Sequence, residues 1–537
     1  MAPVTVNSRH SSVLTSNHAL WKHTNPWVRP SNWKSVHLQS VTIQTNEYTA
    51  IFTNQGALLK SFQLKKYFNQ NNRHPVQLVG QLLHHPLPFE IQYAGLTHIN
   101  HKNFQILSSS CVLKAQHPTT QLIFQYTDRL GTEIQKIYHF QWNSYLIGLS
   151  VKIIQKGPVR IPASSLKIQW ADTLGPMEYT GTNARTETQC RVLTLTDTNT
   201  LSTQSEKNHK GLILVDSPIR WAALADQFFT AILIPKLGEE TTVQIIRRIP
   251  ALRSPTQKHP TPRVKKGWYA PQPVLIFPCN SLSQGERLSR SVHVFLGPQD
   301  YFLLKSYHLQ MQRIVNLGIF GFIGIYMLYV LRWFDLLVHN WGLAIILLAL
   351  LVKLILWWPT HSSYRNMYET QRKLREIQPK IDSLKKKYPN DRQKQNQEMM
   401  VLYQQAGINP LGGCLPLIAQ MPVFFALYAT LENCIELRGA SLLWIPDLTL
   451  KDPYGILPIL MGLSMIVQQK ISGQAMASSI SSQQKFMMWI FPIFLTLISF
   501  QWPSGLLLYW VVANLLSIVQ QRMANKPISK KEVKNEK

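Results

Sequence analysis

Lys353 stands between Leu351-Val352 and Leu354-Ile355, well inside an apolar run over 341–359. A lysine at the centre of a lipid-embedded helix costs roughly 2.5–3.5 kcal/mol on insertion scales. Such a residue faces a wet cavity or a partner, or it snorkels to the nearer interface, and Pro359 lies only six residues on. No acidic residue lies within the depth of the other apolar runs, so a buried ion pair is not expected. Gln420, Ser464, Gln468, Thr496, Ser499 and Gln501 can instead bring polar groups from neighbouring helices. Together they suggest a positively charged, hydrated groove open to the cytoplasm and to lipid. A polar or acidic tail cannot cross hydrocarbon unaided, because each unpaired polar group costs several kcal/mol. A hydrated path shortens that crossing, and a fixed cation attracts acidic tails. No glycine-rich phosphate loop is present, so neither ATP nor any other cofactor is expected.

Other candidates for chemistry are weaker. His84 with His85, or Asp216 with Asp226, could act as acid and base, but they read as solvated surface. The five cysteines, at 111, 190, 279, 414 and 434, are odd in number and widely scattered, forming neither a disulfide framework nor a metal site.

The elements that would hold Lys353 begin near position 314. The stretch 317–331 is apolar but short, and Arg332, Asp335 and His339 follow at helical spacing. An amphipathic helix over 314–340 lying in the membrane interface is the reading, with a true span as its alternative. Five candidate spans follow at 341–359, 414–431, 454–467, 486–500 and 504–519. Several are shorter than the roughly 20 residues of an average span, which local thinning or mutual packing accommodates. Trp341, Trp357, Trp358, Trp444, Trp502 and Tyr509 mark their edges.

Between the first two spans, 361–406 is strongly basic, with Arg372, Lys373, Arg375, Lys385, Lys386 and Lys387 among its cations. Met367, Leu374, Ile377, Ile381 and Leu384 recur at seam spacing, Tyr388-Pro-Asn-Asp391 breaks the pattern, and Met399, Leu402 and Ala406 resume it. A helical hairpin is predicted, and a solvated hairpin without a partner is the alternative to one that meets lipid or ribosomal surfaces. The tail over 522–537 is basic as well. Four of the spans lie between these two basic regions, so both share a side, and the positive-inside rule makes it the cytoplasm. Five spans then leave the N-terminal half outside.

That half differs in kind. Residues 1–36 are polar, without the apolar core of a signal peptide or anchor. Over 37–305 period-two alternation recurs, as in Ile147, Leu149, Val151 and Ile153, and Asp128-Arg-Leu-Gly131 reads as a hairpin turn. One large antiparallel sandwich is expected. The net charge of +28 admits nucleic acid or an anionic membrane surface. No zinc spacing or RNA-binding aromatic signature accompanies it, and the cations cluster beside apolar segments, so anionic lipid is expected and specific nucleic-acid recognition is not.

The run Asn409-Pro-Leu-Gly-Gly-Cys-Leu-Pro-Leu-Ile-Ala-Gln-Met-Pro-Val-Phe-Phe-Ala-Leu-Tyr428 resembles the third transmembrane helix of bacterial YidC-type insertases. Glu436-Leu-Arg438, Trp444-Ile-Pro-Asp-Leu448, Asp452-Pro-Tyr454, Leu457-Pro-Ile-Leu-Met-Gly462 and Trp502-Pro-Ser-Gly-Leu506 resemble that family's motifs in the same order. The likeness is specific from about 310 to 525 and looser before it.

The resemblance implies a membrane α-helical core of five transmembrane helices with a cytoplasmic helical hairpin, plus a large all-β periplasmic supersandwich. It implies insertion of newly made proteins into the bacterial inner membrane, alone or with the Sec translocon. The family's groove arginine falls on Lys353, its groove threonine on Ala349, and its substrate-contacting tyrosine on Trp510, beside Tyr509. Lysine keeps the charge but lacks the planar five-donor fork of arginine. The family's additional N-terminal helix has no counterpart in 1–36. Two other readings fit less. A secondary transporter or channel with Lys353 at its substrate or ion site would show internal repeats, and none is found. An envelope sandwich with a mere membrane anchor leaves Lys353 unexplained.

Overall fold

The computed structural model describes residues 38–524 apart from 70–73, 80–85, 95, 97, 109, 172–173, 176–189, 205–212, 216–217, 249–269, 390, 409–414 and 474–481. The polar start at 1–36, His84, His85, Asp216, Cys414 with the first residues of its motif, and the basic tail from 525 lie outside the described residues. The chain divides into two compact units, 1–299 with 307–314, and 300–306 with 315–537.

The first unit is all β. Its largest sheet has nine strands in the order Leu201–Gln204, Arg191–Thr196, Ile219–Ala225, Phe229–Pro235, Arg287–Pro298, Leu146–Gln155, Thr132–Gln141, Thr119–Thr127 and Gln105–Ile106. Two five-stranded sheets pack on it. Phe52 of one lies 4.6 Å from the Tyr138 ring and 5.7 Å from Phe140 in the large sheet. In Leu146–Gln155 the alternating residues Ile147, Leu149, Val151 and Ile153 are all buried, as period two predicts. Asp128 builds the neighbouring hairpin turn, its Oδ1 accepting from Leu130 N at 2.9 Å and Thr132 N at 2.7 Å. Gly131 there has φ +79°, a left-handed conformation suited to glycine.

The second unit is helical. Its helices are α1 (Tyr301–Ser306), α2 (Gly321–Val338), α3 (Trp341–Ile355), α4 (Trp357–Glu376), α5 (Gln378–Lys387), α6 (Arg392–Gln405), α7 (Leu415–Asn433), α8 (Ile456–Gly473), α9 (Ser482–Ser499) and α10 (Ser504–Ala524). Glycines set the close packing. A Cβ on Gly324 of α2 would lie 2.7 Å from Thr430 Oγ1 of α7, and one on Gly462 of α8 would overlap Thr496 Oγ1 of α9.

The run 341–359 is not one straight helix. α3 and α4 meet at a 63° bend at Leu356. Pro359 supplies the cause, since it has no N–H to give to Ile355 O and is tolerated only in the first turn of a new helix. Among the described residues α2 and α10 are long and apolar enough to cross a membrane, and the bent α3–α4 pair would make a third. Ile456–Ile471 and Ile490–Ser499 are shorter apolar helices. α2 starts at Gly321, four residues after the first apolar residue of its run. It turns Met327, Leu328 and Leu331 inward and leaves Phe322, Tyr326, Trp333 and Leu336 exposed. Tyr388–Pro389 separates α5 from α6, and Leu374, Ile381 and Ile408 form a small buried core there with Ile377, Met399 and Leu402 against it.

Candidate functional site

Local chemistry fixes where α3 and α10 begin. Asn340 caps α3, its side chain accepting from Leu343 N at 3.0 Å while Nδ2 donates to Ser441 O at 3.2 Å. α10 starts behind Pro503, where Ser504 N and Oγ both donate to Leu450 O at 2.7 Å and Gly505 N donates to Leu448 O at 2.9 Å. The loop before α8 is held by Asp452, which accepts from Trp444 Nε1 at 3.1 Å and Leu457 N at 2.6 Å. These bonds account for the Trp444 and Asp452 motifs: they are anchors, not reactive groups.

Lys353 comes in the last turn of α3, where the C-terminal partial charge of the helix favours a cation. Its side chain is buried at 6 % exposure. The ammonium donates to Ser517 Oγ of α10 at 2.5 Å, and Ser517 Oγ in turn donates to Ala513 O at 2.8 Å. Among the described residues no carboxylate pairs with Lys353.

Ser517 belongs to a stripe. Asn514, Ser517 and Gln520 recur every three residues along α10 and are all buried. Asn514 Nδ2 donates to Ser464 Oγ of α8 at 2.9 Å. Gln520 Nε2 donates to Trp357 O at 2.9 Å and to Thr360 Oγ1 at 2.7 Å, at the bend between α3 and α4. The stripe therefore ties α10 in turn to α8, to α3 and to the start of α4. Each tie removes a polar group from an apolar surround, where an unmet donor or acceptor costs about 1–3 kcal/mol.

The expected residues divide around this stripe. Lys353 and Ser464 are part of it. Ala349 is fully buried one turn before Lys353. Gln420 and Gln468 are half-buried on α7 and α8. Thr496 spends its hydroxyl on Pro492 O of its own helix at 2.7 Å and packs against Gly462, so it closes a helix interface. Ser499 likewise donates to Thr496 O at 2.7 Å, and Gln501 is exposed. Tyr509 is buried, and its hydroxyl meets no protein partner among the described residues. Trp510 stacks on Trp502 with ring centres 5.5 Å apart and meets the Phe424 ring at 4.7 Å.

Of the basic residues, Arg372 lies 3.5 Å from Glu376 in an exposed ion pair, and Lys373, Arg375, Lys386 and Lys387 are exposed. The Lys385 side chain is outside the described residues. Asn514, Ser517, Gln520 and Thr360 were not expected, although the three-residue spacing on α10 carries the signal. Ending that span at Val519 cuts the stripe before Gln520.

Comparison with known proteins bears on the whole chain. Residues 40–330 match the family model "YidC periplasmic domain", and residues 333–532 match "60Kd inner membrane protein". The membrane protein insertase YidC of Geobacter metallireducens is 33 % identical over 500 residues, covering 92 % of this chain and 87 % of that one. That of Syntrophus aciditrophicus is 31 % identical over 494 residues, covering 91 % and 85 %. A crystal structure of an active YidC insertase with its first transmembrane domain resolved is 17 % identical, with a TM-score of 0.37, covering 92 % of this chain and 94 % of that one. With both halves matched and relatives above 30 % identity over nine-tenths of its length, this chain belongs to the YidC family of inner-membrane protein insertases.

Proposed function

We propose that the chain moves the short polar tails of newly made membrane proteins past the hydrocarbon core along the Lys353–Ser517 region, while their apolar segments pass sideways into lipid. The observation that carries this reading is a buried cation whose partner is a hydroxyl and not a carboxylate. No carboxylate among the described residues neutralises its charge, which leaves it able to attract an acidic group. Apolar side chains exposed on α8 and α9, such as Leu463, Phe491, Phe494 and Leu497, suit a lipid-facing exit.

In this reading five helices (α3, α7, α8, α9 and α10) form the core, and α2 lies in the interface. The basic α4–α6 region and the C-terminal tail are cytoplasmic, and the β unit is periplasmic. The hairpin's exposed cations suit anionic lipid and the ribosome surface, and larger substrates would be handled with the Sec translocon. Tyr509 and Trp510 on α10, with Ala349, Gln420 and Gln468, would line the substrate's path.

The test is reconstitution of the purified protein in liposomes, without ATP, followed by protease protection of a short single-span substrate with an acidic tail. Protection above that in empty liposomes is expected. None, for this and other short substrates, would reject the reading and favour a transporter with Lys353 at its site.

A further inference from the structure

The bend at Leu356 is a joint that lacks one of its own helical bonds, because Pro359 gives no N–H to Ile355 O. Losing that bond permits a bend, but it chooses neither the angle nor its direction. Both sides of the joint are tied to α10. Three residues before Leu356, Lys353 donates to Ser517 Oγ. One and four residues after it, Trp357 O and Thr360 Oγ1 accept from Gln520 Nε2 at 2.9 and 2.7 Å. Thr360 Oγ1 passes its own hydrogen to Leu356 O, at 2.5 Å.

Ser517 and Gln520 sit one turn apart on a single helix, about 4.5 Å along its axis. Two points on one rod thus hold one point on each arm of the joint. The angle cannot open or swing without breaking one of the ties. Lys353, Thr360, Ser517 and Gln520 are all buried, so water does not compete for these bonds. α3 carries the cation and α4 opens the basic hairpin, so the same two residues keep both in register with α10.

We propose that Ser517 and Gln520 form a two-point staple that holds the α3–α4 bend. Gln520 is then a positioning residue, which sets the direction in which the basic hairpin leaves the helical core. Its consequence for insertion rests on the insertase reading above, whereas the held bend does not.

A distance across the joint tests it. Nitroxides carried by unnatural amino acids at positions 343 and 369, both exposed, spare the native cysteines and stand thirteen residues on either side of Leu356. Each arm is then about 20 Å of helix, giving a separation of about 33 Å at a 63° bend and about 39 Å if straight. In the full chain in nanodiscs, wild type is expected to give one narrow distribution near the shorter value. Gln520→Met, similar in length but without a donor, should broaden it toward the longer one. Thr360→Val, which removes one of the two acceptors, should broaden it less. Lys353 stays on Ser517 in Gln520→Met, so insertion of acid-tailed and neutral-tailed substrates should slow together, about two- to tenfold, with the acid preference kept. A broad distribution in wild type would overturn the proposal, whether or not the variants fold. So would a distribution in Gln520→Met as narrow as in wild type. Insertion at the wild-type rate despite a broadened distribution would overturn the positioning role. Failure of wild type to insert any substrate, with its distance narrow, rejects the insertase reading and leaves the staple standing.

Discussion

The ammonium of Lys353 on α3 and the hydroxyl of Ser517 on α10 are hydrogen-bonded although 164 positions separate them in the chain. The bond joins the helix that carries the buried cation to the one that carries the polar stripe. It also directs the ammonium inward, which a lysine in the last turn of a helix would otherwise avoid by extending to the nearer interface. A hydroxyl accepts one of the three ammonium hydrogens and leaves two for other acceptors.

The first prediction concerns that charge. Lys353→Ala should slow insertion of an acid-tailed substrate about tenfold or more, since hydrogen bonds to charged groups contribute roughly 1.5–3 kcal/mol. A neutral-tailed substrate should be affected less. Lys353→Arg keeps the charge and adds a planar fork able to bind a carboxylate at two points, so it should match or exceed wild type on acidic tails. Initial rates from protease protection decide this. Identical rates for wild type and Lys353→Ala would make the lysine a snorkelling residue.

Removing the partner should act differently. Ser517→Ala leaves Lys353 in place without its acceptor, and the side chain gains freedom to turn toward the interface. The acidic-tail preference, measured as the ratio of acidic to neutral substrate rates, should fall about two- to tenfold. Ser517→Thr retains the hydroxyl and should restore most of it. A ratio unchanged in Ser517→Ala would show that the bond does not position the cation.

How much of this could be read in the sequence depends on how strongly each residue departs from its surroundings. Lys353 stands out because a charge in an apolar run is rare and costly. Asn514 and Ser517 do not, because such side chains can satisfy themselves within their own helix, as Thr496 and Ser499 do. Only the contacts tell Ser517, which receives Lys353, from Thr496, which packs on Gly462. The β unit shows the same division. Leu146–Gln155 has one face in the core and alternates visibly. Phe229–Pro235 is buried on both faces and reads as a featureless apolar run.

Gly462 should be intolerant of substitution. Its missing Cβ makes room for Thr496, and Gly462→Val would force α8 away from α9. Overpacking of this kind costs typically about 1–3 kcal/mol. A lowered melting temperature in detergent is expected, partly relieved by adding Thr496→Ala. Full additivity of the two changes would show that the residues do not meet in the membrane protein.

The last prediction concerns Lys136 in the β unit, which is fully buried and donates to Gly56 O at 2.7 Å and Phe89 O at 2.9 Å. Burial pushes its pKa down to about 7, against a smaller upward pull from the Glu90 carboxylate. An unfolded lysine keeps its proton to about pH 10.4. Between about 7 and that value the unfolded chain holds more protons than the folded one, so stability contributed at this site rises with pH. Below about 7 both states are protonated and the contribution is flat at its lowest. The slope within the window is at most about 1.4 kcal/mol per pH unit for one group. Urea melts of the full chain in detergent, followed by the circular dichroism of the strands, should show wild type gaining stability from pH 7 to pH 9 relative to Lys136→Met. The difference between the two proteins matters here, because it cancels the other titrating groups. Parallel pH profiles would mean that the folded unit keeps Lys136 charged throughout, its two carbonyl bonds outweighing the cost of burial.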